Sequence, residues 1–262
     1  MKKNNFKGKW AVVTGASKGL GFAYAEQLLQ QGINVIGVAR NAMPFQALAQ
    51  KYPDVEVEAI NLDLSDPRNC QVLFDKVQKR DIAYLINNAG FGVWGFFDET
   101  DITKEMNMID LNIKALHILT KLFVQKFKTQ NYGRIFNIGS VLAGFVSGPV
   151  FSSYYASKAY VMSLGVAINT ELKKAKSHVR VVTICPGQLK TDFWASSRED
   201  KKGTKGKVAN VDVFARKSLK KAMKTNRDYL IIGFANKMAK WGALHLPRKW
   251  ILNSIHRFQK SR

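Results

Sequence analysis

Residues 10–21 place a short apolar run, Trp10-Ala11-Val12-Val13, directly ahead of Thr14-Gly15-Ala16-Ser17-Lys18-Gly19-Leu20-Gly21, and a helical pattern over 22–31 follows. A buried strand that turns through glycines straight into a helix defines a βα corner. The same alternation continues along the chain. Apolar runs at 33–40, 55–60, 82–86, 134–138, 179–184 and 229–232 predict further strands. Helical patterns over 66–79, over 101–128 and from Tyr154 to about residue 174 lie between them, and Asp66 and Pro67 read as the N-cap and first helical position of the 66–79 helix. Hairpin signals are absent, which predicts an α/β architecture: a doubly wound parallel sheet of about seven strands with helices on both faces.

At 262 residues the chain is long enough for a single domain with a sizeable core, and an apolar content of 46% excludes a disordered chain. No stretch reaches the roughly 18 uninterrupted apolar residues of a membrane span. Met1-Lys2-Lys3-Asn4-Asn5 leads into the first strand without a signal-peptide apolar region, and Cys70 and Cys185 are too few for a disulfide framework, so a reduced, cytoplasmic protein is expected. No metal site is predicted. The net charge of +22 is unevenly spread. Residues 195–262 carry eighteen Lys and Arg against Glu199, Asp200, Asp212 and Asp228, which leaves +14 in the last quarter and predicts contact with something anionic.

The glycine corner has a chemistry of its own. Glycines let the backbone approach a diphosphate, which the following helix N-terminus attracts. In dinucleotide sites of this kind, an acidic residue at the end of the second strand binds the ribose 2′-hydroxyl of NAD. Arg40 stands there instead, and Lys18 lies in the turn; two cations suit a 2′-phosphate, so NADP(H) is expected. Farther on, Ser153-Tyr154-Tyr155-Ala156-Ser157-Lys158 sits on a predicted helix. Residues four apart are neighbours on a helix, so Tyr154 and Lys158 project into one space. A nearby cation lowers the phenol pKa from about 10 and lets the hydroxyl exchange a proton with an alcohol or carbonyl oxygen. Helix geometry alone leaves Tyr155, three residues from Lys158, as an alternative.

Taken in order, Thr14-Gly15 through Gly21, Asp63, Asn87-Asn88-Ala89-Gly90, Asn112, Ser140, Tyr154 with Lys158, and Pro186-Gly187 with Thr191 resemble the short-chain dehydrogenase/reductase family over residues 8–195. The resemblance implies a single-domain Rossmann fold and an NADP(H)-dependent oxidoreductase that interconverts a carbonyl and an alcohol. It selects Tyr154 as the acid/base. It implies that Lys158 lowers the Tyr154 pKa and holds the nicotinamide ribose, that Ser140 binds the substrate oxygen, and that Asn112 supports a water behind Lys158. Gly15, Ser17, Gly19, Leu20 and Gly21 would shape the diphosphate loop, with Lys18 and Arg40 beside it. Asp63 would contact adenine, Asn88 and Gly90 the ribose side, and Pro186, Gly187 and Thr191 the nicotinamide. A homodimer or homotetramer is implied as well. Gly139 stands before Ser140 where the family commonly has serine, and the segment to Tyr154 is slightly long, so Ser147, Ser152 and Ser153 are nearby alternatives. A non-catalytic NADP-binding redox sensor or scaffold is the competing expectation; such a protein would not need the full Asn112, Ser140, Tyr154, Lys158 set.

The expected pocket rim is apolar, formed by Phe91, Val93, Trp94, Leu142, Phe145, Val150, Phe193 and Trp194, and favours a hydrophobic carbonyl or alcohol substrate. Residues 191–212 read as a mobile substrate loop. The division expected is a cofactor-binding and catalytic domain over 1–233 and a basic amphipathic extension over 234–262. That extension is most similar to the branch containing hydroxysteroid dehydrogenase-like and long-chain ketoacyl reductase-like members. Pro247 would open its last helix, with Ile251, Leu252, Ile255 and Phe258 along one face. The extension suits peripheral contact with an anionic membrane, packing on the core or a second subunit, or a solvated face. Nucleic acid is not expected as a partner, since no base-reading motif accompanies it.

Overall fold

The apolar runs become the strands of one sheet in the computed structural model, which describes residues 6–197 and 208–260. In chain order the elements are β1 (Trp10–Thr14), α1 (Gly19–Leu29), β2 (Asn34–Ala39), α2 (Met43–Gln46), α3 (Leu48–Lys51), β3 (Val57–Asn61), α4 (Arg68–Val77) and β4 (Ile82–Asn87). Then come α5 (Ile102–Ile109), a π-helical segment (Asp110–Ala115), α6 (Leu116–Gln130), β5 (Arg134–Ile138), α7 (Ser152–Lys174) and β6 (Arg180–Cys185). The chain continues through α8 (Phe193–Ser197), α9 (Val211–Ala222), β7 (Tyr229–Ile231), α10 (Phe234–His245) and α11 (Arg248–Lys260). The seven strands run in the order β3-β2-β1-β4-β5-β6-β7, and every pairing is parallel.

A parallel sheet is covered on both faces, so its strands are apolar throughout. Neighbouring residues of β1 show the consequence. Ala11 and Val13 enter one core with Tyr24 and Leu28 of α1 and with Phe214 and Leu219 of α9. Val12, between them, enters the other with Leu73 of α4, Phe123 and Phe127 of α6 and Leu172 of α7. A third, smaller cluster joins Val93, Met108, Phe151, Tyr154 and Tyr155 to Ile255 of α11.

Several boundaries differ from the sequence expectation. The helix expected over 101–128 is three segments, because Asn112 is drawn out of regular register. Its amide donates to the Phe91 carbonyl (2.9 Å) and the Ser157 hydroxyl (3.2 Å), and its Oδ1 accepts from the Phe91 N–H (3.2 Å). The first helix begins at Gly19, inside the glycine turn. The helix expected from Asp66 starts at Arg68, with Pro67 in the N-cap position, and Asp66 accepts from the Arg68 N–H at 3.0 Å just ahead of it. The sequence predicts no helix at α9, although Asn210 caps it through the Val213 N–H (2.9 Å) and Phe214, Ser218 and Ala222 bury one face. Of the loop expected over 191–212, α8 and the start of α9 are helical, and residues 198–207 lie outside the described residues. Pro247 precedes α11 as expected, but Gln259 rather than Leu252 joins Ile255 in the buried face.

Candidate active site

The order β3-β2-β1-β4 reverses the direction of winding between β1 and β4, and ligands of open α/β sheets bind beyond the strand ends at such a point. A cleft of about 1020 Å³ lies there. Every predicted site residue except Gly21 and Asn112 lines it.

At one end sits the glycine corner. Gly15 has φ +67°, and a Cβ there would lie 2.9 Å from the Ala89 Cα. On Gly21 a Cβ would lie 2.2 Å from the Gly15 carbonyl oxygen, so this glycine lets α1 pack beneath the turn rather than facing the cleft. The Asn88 amide ties the turn down by donating to the carbonyls of Thr14 (3.1 Å) and Gly15 (3.2 Å). Thr14 Oγ1 in turn accepts from the N–H groups of Asn88 and Ala89, each at 3.0 Å. Lys18 occupies the N-cap of α1 and makes no side-chain cap, so no side chain caps the first N–H groups of the helix. Its ammonium pairs with Asp192 at 3.1 Å, with both side chains largely in solvent. Arg40 is exposed at the end of β2. Asp63 accepts from the N–H (3.0 Å) and hydroxyl (2.7 Å) of Ser65.

The other end is built by α7 and the segment after β5. Tyr154 is 9% exposed, its ring stacked on Phe151 with centroids 4.4 Å apart. Its hydroxyl and that of Ser140 face the same cleft. Ser140 lines the cleft, whereas Ser147, Ser152 and Ser153 do not. Lys158 is buried, donates to the Ile138 carbonyl at 2.9 Å, and lies 5.7 Å from the centre of the Tyr154 ring. Burial pulls its pKa down to about 8, with the neighbouring Cys185 thiol opposing the shift. Burial also pushes Cys185 up to about 12. For Tyr154 burial dominates and raises the pKa, Tyr155 adds to this, and the Ser140 hydroxyl works in the opposite direction. Depression of the Tyr154 pKa by Lys158 is therefore not what sets the phenol here. Asn112 stands behind this group: a Cβ on Gly90 would be 2.8 Å from Asn112 Oδ1 and 3.7 Å from Lys158 Nζ.

Of the expected apolar rim, Phe91, Leu142, Phe193 and Trp194 line the cleft. Val93 and Val150 are buried in packing, Trp94 flanks the third cluster, and Phe145 meets Tyr229 edge to face beneath Lys240. Tyr155, the alternative to Tyr154, lines the cleft as well, and among the lining residues not anticipated there are Phe258 and Gln259 of α11. Gln259 is 1% exposed, and its Nε2 donates to the Tyr155 hydroxyl at 3.3 Å. The four-residue spacing of Ile251, Ile255 and Gln259 was the available signal. Among the described residues, no group of three or more His, Cys, Asp or Glu could hold a metal ion.

Two hydroxyls, a buried ammonium and a glycine corner thus stand in one cleft. Comparison with known proteins places the fold. The short chain dehydrogenase family model matches residues 9–202. A very-long-chain 3-oxoacyl-CoA reductase-like protein of Arabidopsis thaliana is 30% identical over 174 residues, 64% of this chain and 56% of that protein, so the chain spans little more than half of that relative. The NADP-dependent (R)-specific alcohol dehydrogenase of Lentilactobacillus kefiri is 31% identical over 194 residues, 72% of this chain and 76% of that protein. A short-chain dehydrogenase from Sphingobium yanoikuyae, solved in complex with NADPH, superposes with a TM-score of 0.79 at 29% identity and covers 94% of this chain and 95% of that one. With the strand order, the glycine corner and the Tyr154–Lys158 pair all in one cleft, the chain belongs to the short-chain dehydrogenase family.

Proposed function

We propose that the protein interconverts a carbonyl and an alcohol on a hydrophobic substrate, using NADP(H), with Tyr154 as the acid/base. The observation that carries this reading is the Ser140–Tyr154 hydroxyl pair at one end of the cleft whose other end is the glycine corner. The residues fit the cofactor: a Cβ on Gly15 or Gly21 would collide, the α1 N-terminus lacks a side-chain cap, and Lys18 and Arg40 offer positive charge for a 2′-phosphate. NADPH in the Sphingobium protein and NADP dependence in the Lentilactobacillus protein support the same choice. Bound there, the nicotinamide would supply or accept the hydride.

The chain's own residues do the rest. Ser140 and Tyr154 hold the substrate oxygen between two hydroxyls. Burial keeps the Tyr154 phenol protonated at neutral pH, so it is set to donate a proton to an oxygen that gains negative charge, the requirement of carbonyl reduction. The Lys158 ammonium, below about pH 8, places a positive charge beside that oxygen and the ribose. Asn112 fixes Phe91 and Ser157 around Lys158. Phe91, Leu142, Phe193 and Trp194 favour an apolar substrate body and exclude water. In this reading residues 1–233 carry cofactor and chemistry, and 234–262 contributes Phe258 and Gln259 to the wall.

Titration with NADPH and NADH, followed by nicotinamide fluorescence, tests the cofactor. NADPH should bind much more tightly, and Arg40→Ala should weaken it selectively; equal affinities would overturn the roles of Lys18 and Arg40. A carbonyl screen with NADPH then tests the chemistry. Tyr154→Phe should lower turnover by at least about a hundredfold, the low end of a general acid's contribution, while NADPH still binds. Retained turnover would remove Tyr154 from the reaction.

A further inference from the structure

Helix α10 carries its apolar side chains on the side away from the core. None of its residues is buried. Phe234, Met238, Trp241 and Leu244 recur at helical spacing and form one stripe, exposed by 79%, 46%, 52% and 49%. Leu246 in the turn and Trp250 at the start of α11 extend it. Helix α11 is oriented the other way. Ile251, Ile255 and Gln259 hold it to the third cluster and to Tyr155, while Arg248, Lys249, Arg257 and Lys260 remain exposed. Lys237 is exposed on α10 as well, and no Asp or Glu occurs anywhere in residues 229–262.

An exposed stripe of this kind is an interaction surface, and its chemistry selects the occupant. A second copy would bring the same cations, on a chain of net charge +22, against it. A nucleic acid would use the cations but leave Phe234, Trp241 and Trp250 without a role. An anionic bilayer uses both, with Trp, Phe, Leu and Met seated at the boundary between headgroups and acyl chains and Lys and Arg at the phosphates. We propose that α10 and α11 form a docking surface for membranes containing anionic lipid. Because α11 also lends Phe258 and Gln259 to the cleft wall, the docking surface and the cleft share one element. If the cleft takes an apolar substrate, as proposed above, that element links it to the phase in which such a substrate dissolves.

Flotation of the full chain with phosphatidylcholine vesicles, with and without phosphatidylglycerol, tests the docking surface without reference to catalysis. Binding is expected only to the anionic vesicles, and salt should weaken it. Lys249→Gln should reduce the partition about fivefold, the equivalent of about 1 kcal/mol. Trp241→Gln with Trp250→Gln should reduce it further and leave the melting temperature unchanged, since both side chains are exposed. Absence of binding to anionic vesicles at low salt would overturn the proposal. So would binding indifferent to the two Trp changes, or a sedimenting dimer that these changes dissociate. A failed NADPH titration would leave this result standing, and the reverse also holds.

Discussion

Lys158 shows how the proposed chemistry acts against stability. Its spacing from Tyr154 was legible in the sequence, because four residues is one helical turn; the depth of its burial was not, and burial sets its pKa. In the unfolded chain the ammonium keeps its proton up to about pH 10.5, and in the folded chain burial releases it near pH 8. Between those values the unfolded state binds more protons, so the stability this residue governs rises with pH. Below pH 8 the folded protein retains a desolvated charge at a cost of about 3 kcal/mol. Lys158→Met should therefore be more stable than the parent by up to about 3 kcal/mol at pH 7, less the hydrogen bond to the Ile138 carbonyl. The difference should shrink as pH rises from 8 toward 10.5. Urea midpoints for the two proteins across that range check it, and comparing the pair cancels Cys185, whose raised pKa acts in the opposite sense. An advantage independent of pH would mean that burial is not what perturbs the lysine.

At the scale of elements, the strands were legible because a parallel strand buried on both faces leaves an unbroken apolar run. The cleft followed, since glycines, Asn88, Ser140 and Tyr154 all stand at strand ends or at the starts of helices. The π-helical segment was not legible. Apolar periodicity reports which face of a helix is buried, and Asn112 leaves regular register because of two partners far away in sequence, Phe91 and Ser157. Asn112→Ala would leave the N–H and carbonyl of Phe91 without those bonds. About 2 kcal/mol of stability should go with them, and carbonyl turnover should fall as Phe91 and Ser157 loosen around Lys158. Denaturant unfolding measures the first effect. Unchanged stability would mean that the backbone closes into a regular helix with no loss, and that the π segment is not held by Asn112.

The charge of the whole molecule sets a response that no single contact predicts. Ion pairs such as Arg68–Asp66 and Lys51–Glu26 are attractive, and screening them should lower the melting temperature. Repulsion among cations acts the other way. The counts decide the sign: with 41 Lys and Arg against 19 Asp and Glu, even complete pairing leaves a surplus of 22 positive charges. Exposed pairs contribute only about 0–1 kcal/mol each, whereas self-repulsion accumulates over the whole surface. The melting temperature should therefore rise as NaCl increases from about 0.01 M, where the Debye length is about 30 Å, to about 0.1 M, where it is about 10 Å. The rise should be smaller in a variant with Lys237, Arg248, Lys249, Arg257 and Lys260 changed to Gln, because these cations lie where no acid offsets them. Calorimetric melts of the two proteins across that range provide the measurement. A melting temperature that falls with salt would show that attraction in the specific pairs outweighs the surplus. The basic face of α10 and α11 would then add little to the strain of the folded chain.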